Sequence, residues 1–356
     1  MAKNFDLSQW ARPEMLALKP YTSARDTFTA TEGEWTFLDA NENPNATTVN
    51  RYPDPNQTAL KKVIANLRGC DEDQLLIGNG SDEVLDLIIR AFCTPYKDDM
   101  IIMPPTYGMY AVLADINSVG MIKVPLDARF QLKPKEVLAA VTPNTKAIFF
   151  CSPNNPSGNA FNTDDIQMLL DNFDGIIVID EAYIDFTDFP SWSEKLSEFP
   201  NLIVTQTLSK AFGLAGLRLG IAIASPEIIT LLKFIKPPYN INALSQQNAM
   251  EALLDTKTVN AQIAESISEQ KRLVEELNAF SWVVKIYPSD ANFLLIKVDD
   301  AAKRYTDLLA LHIVTRDRSS QENCENCIRI SVGTPQENDK LIAACKALSK
   351  CKKYYL

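Results

Sequence analysis

Histidine is nearly missing from this chain: among 356 residues only His312 carries an imidazole. A histidine-based catalytic triad and a multi-histidine metal site are thereby set aside. His312 itself opens an apolar stretch, HIVT, and reads as structural. Long hydrophobic runs are missing too. None approaches the ~18 residues a membrane-spanning helix needs, and the longest candidate is broken by Arg218. The first residues, MAKNFDLSQWARPEM, hold no hydrophobic stretch of signal-peptide type. Positive charge is in short supply: 35 Lys and Arg against 45 Asp and Glu leave a net charge of −10. Nucleic acid and anionic membranes call for a basic surface, so neither is expected as the main partner. No Lys-Ser/Thr follows the glycines of GNGSDE, and no G-x-G-x-x-G follows a strand, so nucleoside triphosphates and dinucleotides are not indicated.

Seven cysteines, an odd and scattered set, fit reduced thiols and a cytoplasmic chain. Cys324 and Cys327, with Cys345 and Cys351, invite a zinc reading. The second pair is too widely spaced, and the strand-like IRISV and a helix intervene, so no metal is expected.

What is present is an ordinary globular composition, 46% apolar and 22% charged, at a length that suggests two domains. From about residue 57 to 240, short apolar strands alternate with helical stretches. Strands are expected at 74–78, 99–103, 121–126, 146–150, 175–180, 202–207 and 218–224. Helices are expected at 57–68, 81–94, 107–117, 134–142, 163–172 and 226–235. That alternation predicts an α/β fold, a mostly parallel sheet between two helical layers, with ligands gathering where strands end. Beyond 240 come helices at 243–255 and 258–280, a strand at 291–298, a helix near 300–310, strands at 312–317 and 327–333 and a last helix from Pro335 to Lys350, a smaller α+β unit. The division expected is 31–242 for the large domain, with 1–30 and 243–356 forming the small domain and its N-terminal arm.

Three segments carry chemistry together. TQTLSKAFGLAG sets a single lysine, Lys210, among small residues after a strand. IVIDEAYIDF ends an apolar strand on Asp180, thirty residues earlier, and CSPNNPSG places Asn155 a further twenty-five back. A buried carboxylate is costly unless paired, and a protonated pyridine nitrogen is the partner proposed for Asp180. Lysine, carboxylate and asparagine are what pyridoxal 5'-phosphate requires: Lys210 for the Schiff base, Asp180 for the ring nitrogen, Asn155 and Tyr183 as donors to the phenolic oxygen. GNGSDE opens a helix whose backbone N–H groups at Ser81 and Asp82 suit a phosphate; alone it reads first as a glycine turn with an N-cap, and beside the lysine motif the phosphate reading wins. Thr207, Ser209 and Arg218 flank Lys210 and could complete that cup. Tyr107 in MPPTYGMY could stack on a planar ring or pack in the core. Arg329, inside the apolar CIRISVG, calls for an anionic partner from the substrate. Arg316 is either a second anion contact or solvated. Tyr52 sits in a proline-flanked tip, RYPDPNQ, reaching into a site of its own or a neighbouring subunit.

With these residues assembled, the chain resembles the fold-type I pyridoxal-phosphate enzymes of the class II aminotransferase group. PYTSAR (20–25), LDANENP (38–44), RYPDP (51–55), GNGSDE, PPTYGMY, CSPNNPSG, DEAYIDF, TLSKAFGLAGLRLG and IRISVGT carry the resemblance nearly end to end. PPTYGMY and DEAYIDF are most similar to its histidinol-phosphate aminotransferase branch. The resemblance implies a seven-stranded sheet in the large domain and transamination between L-histidinol phosphate and 2-oxoglutarate. It implies a homodimer with the site at the interface, Tyr107 on the ring, and Tyr52 reaching the phosphate from the other subunit. It also implies Tyr21, Arg316 and Arg329 at the substrate's anionic end. Ser157 departs mildly from the threonine common in the group. Sister activities on the same scaffold, threonine-phosphate decarboxylation and aromatic transamination, stay open, because no motif fixes the imidazole contacts.

Overall fold

The computed structural model describes residues 3–19, 21 and 35–350. Seven strands form the main sheet: β1 Leu75–Asn79, β2 Asp99–Ile102, β3 Gly120–Lys123, β4 Thr145–Cys151, β5 Ile176–Asp180, β6 Leu202–Thr207 and β7 Leu219–Ala224. Their order is β1-β7-β6-β5-β4-β2-β3, and β7 alone runs against the rest. Every residue of β5, β6 and β7 is buried, as a sheet covered on both faces requires.

The period-2 alternation of each strand feeds two separate cores. Ile148, Phe150, Ile177, Ile179 and Val204 face helices Thr58–Arg68 and Thr163–Asn172. Phe149, Ile176, Val178 and Ile203 face helices Ser81–Phe92, Met109–Ile116 and Pro226–Ile235. Each large apolar side chain buried this way contributes about 1.5–3 kcal/mol.

A second, antiparallel sheet has the order β10-β11-β9-β8, made of β8 Val283–Ile286, β9 Phe293–Val298, β10 Arg316–Asp317 and β11 Cys327–Ser331. Its core takes Leu273 and Leu277 from helix Thr256–Asn278, Leu308 from Ala301–Ala310, and Leu341, Ile342 and Cys345 from Pro335–Lys350. Beside the site the two units are tied by Asp290, whose N–H donates to the Gly158 carbonyl at 2.7 Å and whose carboxylate accepts from the Ala160 N–H at 2.7 Å.

Three expectations need correcting. Residues 3–16 do not pack on the smaller unit: Lys3 donates to the carbonyls of Leu170 and Phe173, Trp10 meets the Phe173 ring edge-on, and Ala11 is buried in the large sheet's core. Their aromatic and aliphatic side chains find apolar partners there. Helix Ala243–Leu254 likewise gives Ala249 and Leu253 to the large sheet's core, so the packing changes sides after it rather than at residue 242. The strand expected over 312–317 is only Arg316–Asp317, because His312, at φ 62°, closes the preceding helix with its N–H on the Leu309 carbonyl. Strand β8 was not anticipated; its half-exposed residues give a short edge without clear alternation.

Candidate active site

The ends of β1, β4, β5 and β6 open on a cavity of about 500 Å³. Asp180, the last residue of β5, forms its floor and is 3% exposed. One carboxylate oxygen accepts from the Tyr110 hydroxyl at 2.9 Å, the other from the Ala182 N–H at 3.2 Å. Burial pushes the carboxyl up to about 6 despite both bonds.

Lys210 lies in a tight turn after β6. The Ser209 N–H donates to the Thr207 hydroxyl, and Leu214 and Gly213 close the turn on the carbonyls of Leu208 and Lys210. Gly213 supplies the left-handed step at φ 67°. The Lys210 amine makes no hydrogen bond or ion pair among the described residues and lies 5.9 Å from the centre of the Tyr183 ring. Burial, then the Arg329 charge, lower its proton affinity, with Asp180 opposing. The amine is therefore easier to deprotonate than a surface lysine.

At the other end, Gly80 at φ 84° leads into helix Ser81–Phe92. A side chain at Gly220 would put its Cβ 2.3 Å from the Ser81 nitrogen, so glycine there lets β7 pass directly under the helix start. Arg218 (φ 58°) reaches over the same turn, its guanidinium 3.9 Å from the Asp82 carboxylate. N–H groups, helix dipole and guanidinium converge as an anion cradle.

Arg329, on β11, lines the cavity. It donates to the Asn155 side-chain oxygen Oδ1 at 2.5 Å and lies 5.2 Å over the Phe293 ring. Held by that bond, the Asn155 amide group remains available to the cavity. Tyr183 packs edge-on against the same Phe293 at 5.2 Å, and burial pushes its phenol pKa upward. Tyr107 donates to Asp82 at 3.0 Å and stands edge-on to Tyr110.

Ser81, Asp82, Tyr107, Asn155, Asp180, Tyr183, Thr207, Ser209, Lys210, Arg218 and Arg329 thus meet around one cavity. The Thr207 hydroxyl donates to the Leu219 carbonyl at 3.2 Å and accepts from Ser209, so it shapes the loop as well as lining the wall. Three others do not line this cavity. Tyr52 is 52% exposed and stacks on Tyr239 at 4.5 Å beside a different cavity. Tyr21 is exposed, and so is Arg316, which pairs across the sheet with Arg329. Sequence reasoning missed Tyr110, which follows Tyr107 by one helical turn, and also Cys151, Arg318 and Gln321.

These residues fit pyridoxal phosphate. The buried carboxylate with a raised pKa makes no ion pair among the described residues, and the Lys210 amine and the start of helix Ser81–Phe92 line the same cavity.

The sequence profile described as aminotransferase class I and II matches residues 36–345. A histidinol-phosphate aminotransferase of Christiangramia forsetii is 53% identical over 97% of this chain and 99% of its own length. The crystal structure of histidinol-phosphate aminotransferase from Clostridium acetobutylicum superposes with a TM-score of 0.78 at 25% identity, covering 85% of this chain and 92% of that one. The Sinorhizobium meliloti enzyme of the same name, solved with pyridoxal 5'-phosphate, shares the fold at a TM-score of 0.74 and 24% identity, over 84% of each chain. This chain belongs to the pyridoxal-phosphate-dependent class I and II aminotransferases.

Proposed function

We propose that this enzyme transfers the amino group of L-histidinol phosphate to 2-oxoglutarate, giving imidazole acetol phosphate and L-glutamate in histidine biosynthesis. The observation that carries the reading is the meeting of Lys210, Asp180 and Arg329 in one cavity, in a chain 53% identical to a relative with that name. When bound, pyridoxal phosphate supplies an aldehyde for amines and a cationic ring that withdraws electrons from the substrate's α-carbon.

The chain's own groups do the rest. The N–H groups at Ser81 and Asp82, with Ser209 and Arg218, anchor the phosphate. Asp180, oriented by the Tyr110 hydroxyl, would stay ionised and pair with the ring nitrogen. Asn155 and Tyr183 would donate to the phenolic oxygen. With the cofactor bound, the Lys210 amine would take the substrate's α-proton and later return one, general base and then acid at a single nitrogen. Its lowered proton affinity suits both tasks. Arg329, steered by Asn155, holds the substrate's anionic end, and one guanidinium fork accepts a phosphate in one half-reaction and a carboxylate in the other.

A cytoplasmic homodimer is part of this proposal. The free thiols of Cys70, Cys93, Cys151, Cys324, Cys327 and Cys345 favour a reducing compartment. Tyr52 is exposed and away from its own chain's cavity, which supports a role for it at a partner's phosphate.

Purified protein with cofactor, L-histidinol phosphate and 2-oxoglutarate should release glutamate. Faster turnover of phenylalanine, or carbon dioxide from phosphothreonine, would replace this reading with a sister activity. Arg329→Ala should lower kcat/KM in both half-reactions by about 10- to 100-fold, the worth of a charge-assisted hydrogen bond. Loss for one substrate alone would show that the two anions bind separately.

A further inference from the structure

Two parts of the smaller unit grip one loop of the larger. The loop, residues 152–160, follows β4 and carries Asn155. From one side Arg329 on β11 reaches the Asn155 side chain. From the other, the Asp290 N–H donates to the Gly158 carbonyl and its carboxylate accepts from the Ala160 N–H, both at 2.7 Å. Gly158, at φ 87°, makes room for this approach: a Cβ there would lie 2.4 Å from the Ser289 hydroxyl oxygen. The clamp is itself braced. Gln270 on helix Thr256–Asn278 donates to the carbonyls of Ser289 and Ala291 at 3.2 and 2.6 Å, and the Ser289 hydroxyl donates to the Phe293 carbonyl at 2.6 Å. On the large-unit side, the buried Asn154 donates to the Pro105 carbonyl at 2.9 Å and to the Ser157 hydroxyl at 2.8 Å. Asn155 stands between these two fixed stretches. Arg329 is the one hydrogen-bond partner of its side chain among the described residues.

That single bond is a weak point. The Arg329 guanidinium is also the group proposed to take the substrate's anion, and an anion outbids a neutral amide for its donors. With substrate bound, the aim of the Asn155 amide then depends on the backbone that carries it. We propose that Asp290 is a positioning residue for Asn155, clamping the loop at Gly158 and Ala160 so that the Asn155 amide stays aimed at the cofactor's phenolic oxygen even when Arg329 turns to the substrate. This rests on the roles proposed above for Asn155 and Arg329. Asp290 lies outside the cavity lining, so it reaches the cofactor only through the loop or through its charge. The two routes have opposite signs. Losing a donor at the phenolic oxygen raises the pH at which the Lys210-linked cofactor gives up its proton, whereas removing a negative charge lowers it. The charged groups acting on the Lys210 nitrogen, Arg329, Asp180, Arg218 and Asp82, are the same in every Asp290 variant.

The test is a pH titration of the cofactor's absorbance in the loaded enzyme without substrate, for wild type, Asp290→Ala, Asp290→Asn and Asn155→Ala. Turnover of L-glutamate and thermal unfolding of the cofactor-free proteins are measured beside it. Asp290→Ala should raise the titration midpoint by about half to one unit, the worth of one weakened hydrogen bond. Its kcat should fall by about 10- to 100-fold, as for a group misplaced by about 1 Å, with KM little changed. Asp290→Asn keeps an acceptor for the Ala160 N–H, so its kcat should return close to wild type and its midpoint to the wild-type value or just below. Asn155→Ala should raise the midpoint at least as far as Asp290→Ala. Reduced stability of Asp290→Ala with wild-type midpoint and kcat would overturn the proposal, since the clamp would then be structural only. A lowered midpoint would overturn it too, as the mark of charge acting alone. If Asn155→Ala also leaves the midpoint unmoved, the reading of Asn155 falls and this proposal with it.

Discussion

Lys210→Ala is expected to leave a folded, cofactor-binding protein with essentially no transaminase activity, at least about 10⁴-fold below wild type. General base and acid catalysis by one group accounts for about 10²–10⁴ in rate, and in the reading proposed above the amine is also the covalent anchor that substrate must displace. The fold should not suffer. Lys210 makes no side-chain hydrogen bond or ion pair among the described residues, and the turn around it is held by backbone bonds of residues 208–214 and by Thr207. Unfolding free energies of the cofactor-free proteins should therefore nearly coincide, within about 0.5 kcal/mol. The variant should also lack the yellow absorbance of a lysine-linked cofactor. A yellow, active variant would mean that another amine does this work.

Asp180→Asn should separate activity from stability. Activity should fall about 10²- to 10³-fold, the cost of one preorganised electrostatic contact, because a neutral amide cannot hold the ring cationic. Cofactor should still bind through the anion cradle and Lys210. Stability of the cofactor-free protein should move the other way. Folding raises the carboxyl from 3.8 to about 6 through burial. Above pH 6 the group is charged in both states, and the buried charge penalises the fold by about 3 kcal/mol, from a shift of about two units. As pH falls from 6 towards 4, the folded form takes up its proton first and the penalty disappears. The variant should thus be more stable than wild type at pH 7.5, and the gap should close by about pH 4. Thermal unfolding at both values checks the sign. A variant less stable at pH 7.5 would show that the charge is compensated by something other than the cofactor.

The α/β architecture was legible because strands such as IIVID and LIVTQT are continuous apolar runs, and helices such as Ser81–Phe92 carry a clear apolar face. The site was legible where one residue type is physically odd in its setting: a carboxylate ending a buried strand, an arginine inside another. Tyr110 was not, because a tyrosine on a helix facing a sheet has the pattern of any core aromatic, and only the fold aims its hydroxyl at Asp180. Arg318 escaped because its neighbour Arg316 fits a linear motif better, and a strand too short for sequence detection decides which reaches the cavity. The N-terminal arm was misplaced for a related reason. Its apolar residues announce that they are buried, but not against which core.

The central claim is that the Lys210 nitrogen carries the cofactor. Reducing the loaded enzyme with borohydride and mapping the peptides by mass should find a single pyridoxyl-phosphate adduct, on Lys210. An adduct on another lysine, or none in fully loaded protein, would contradict the account.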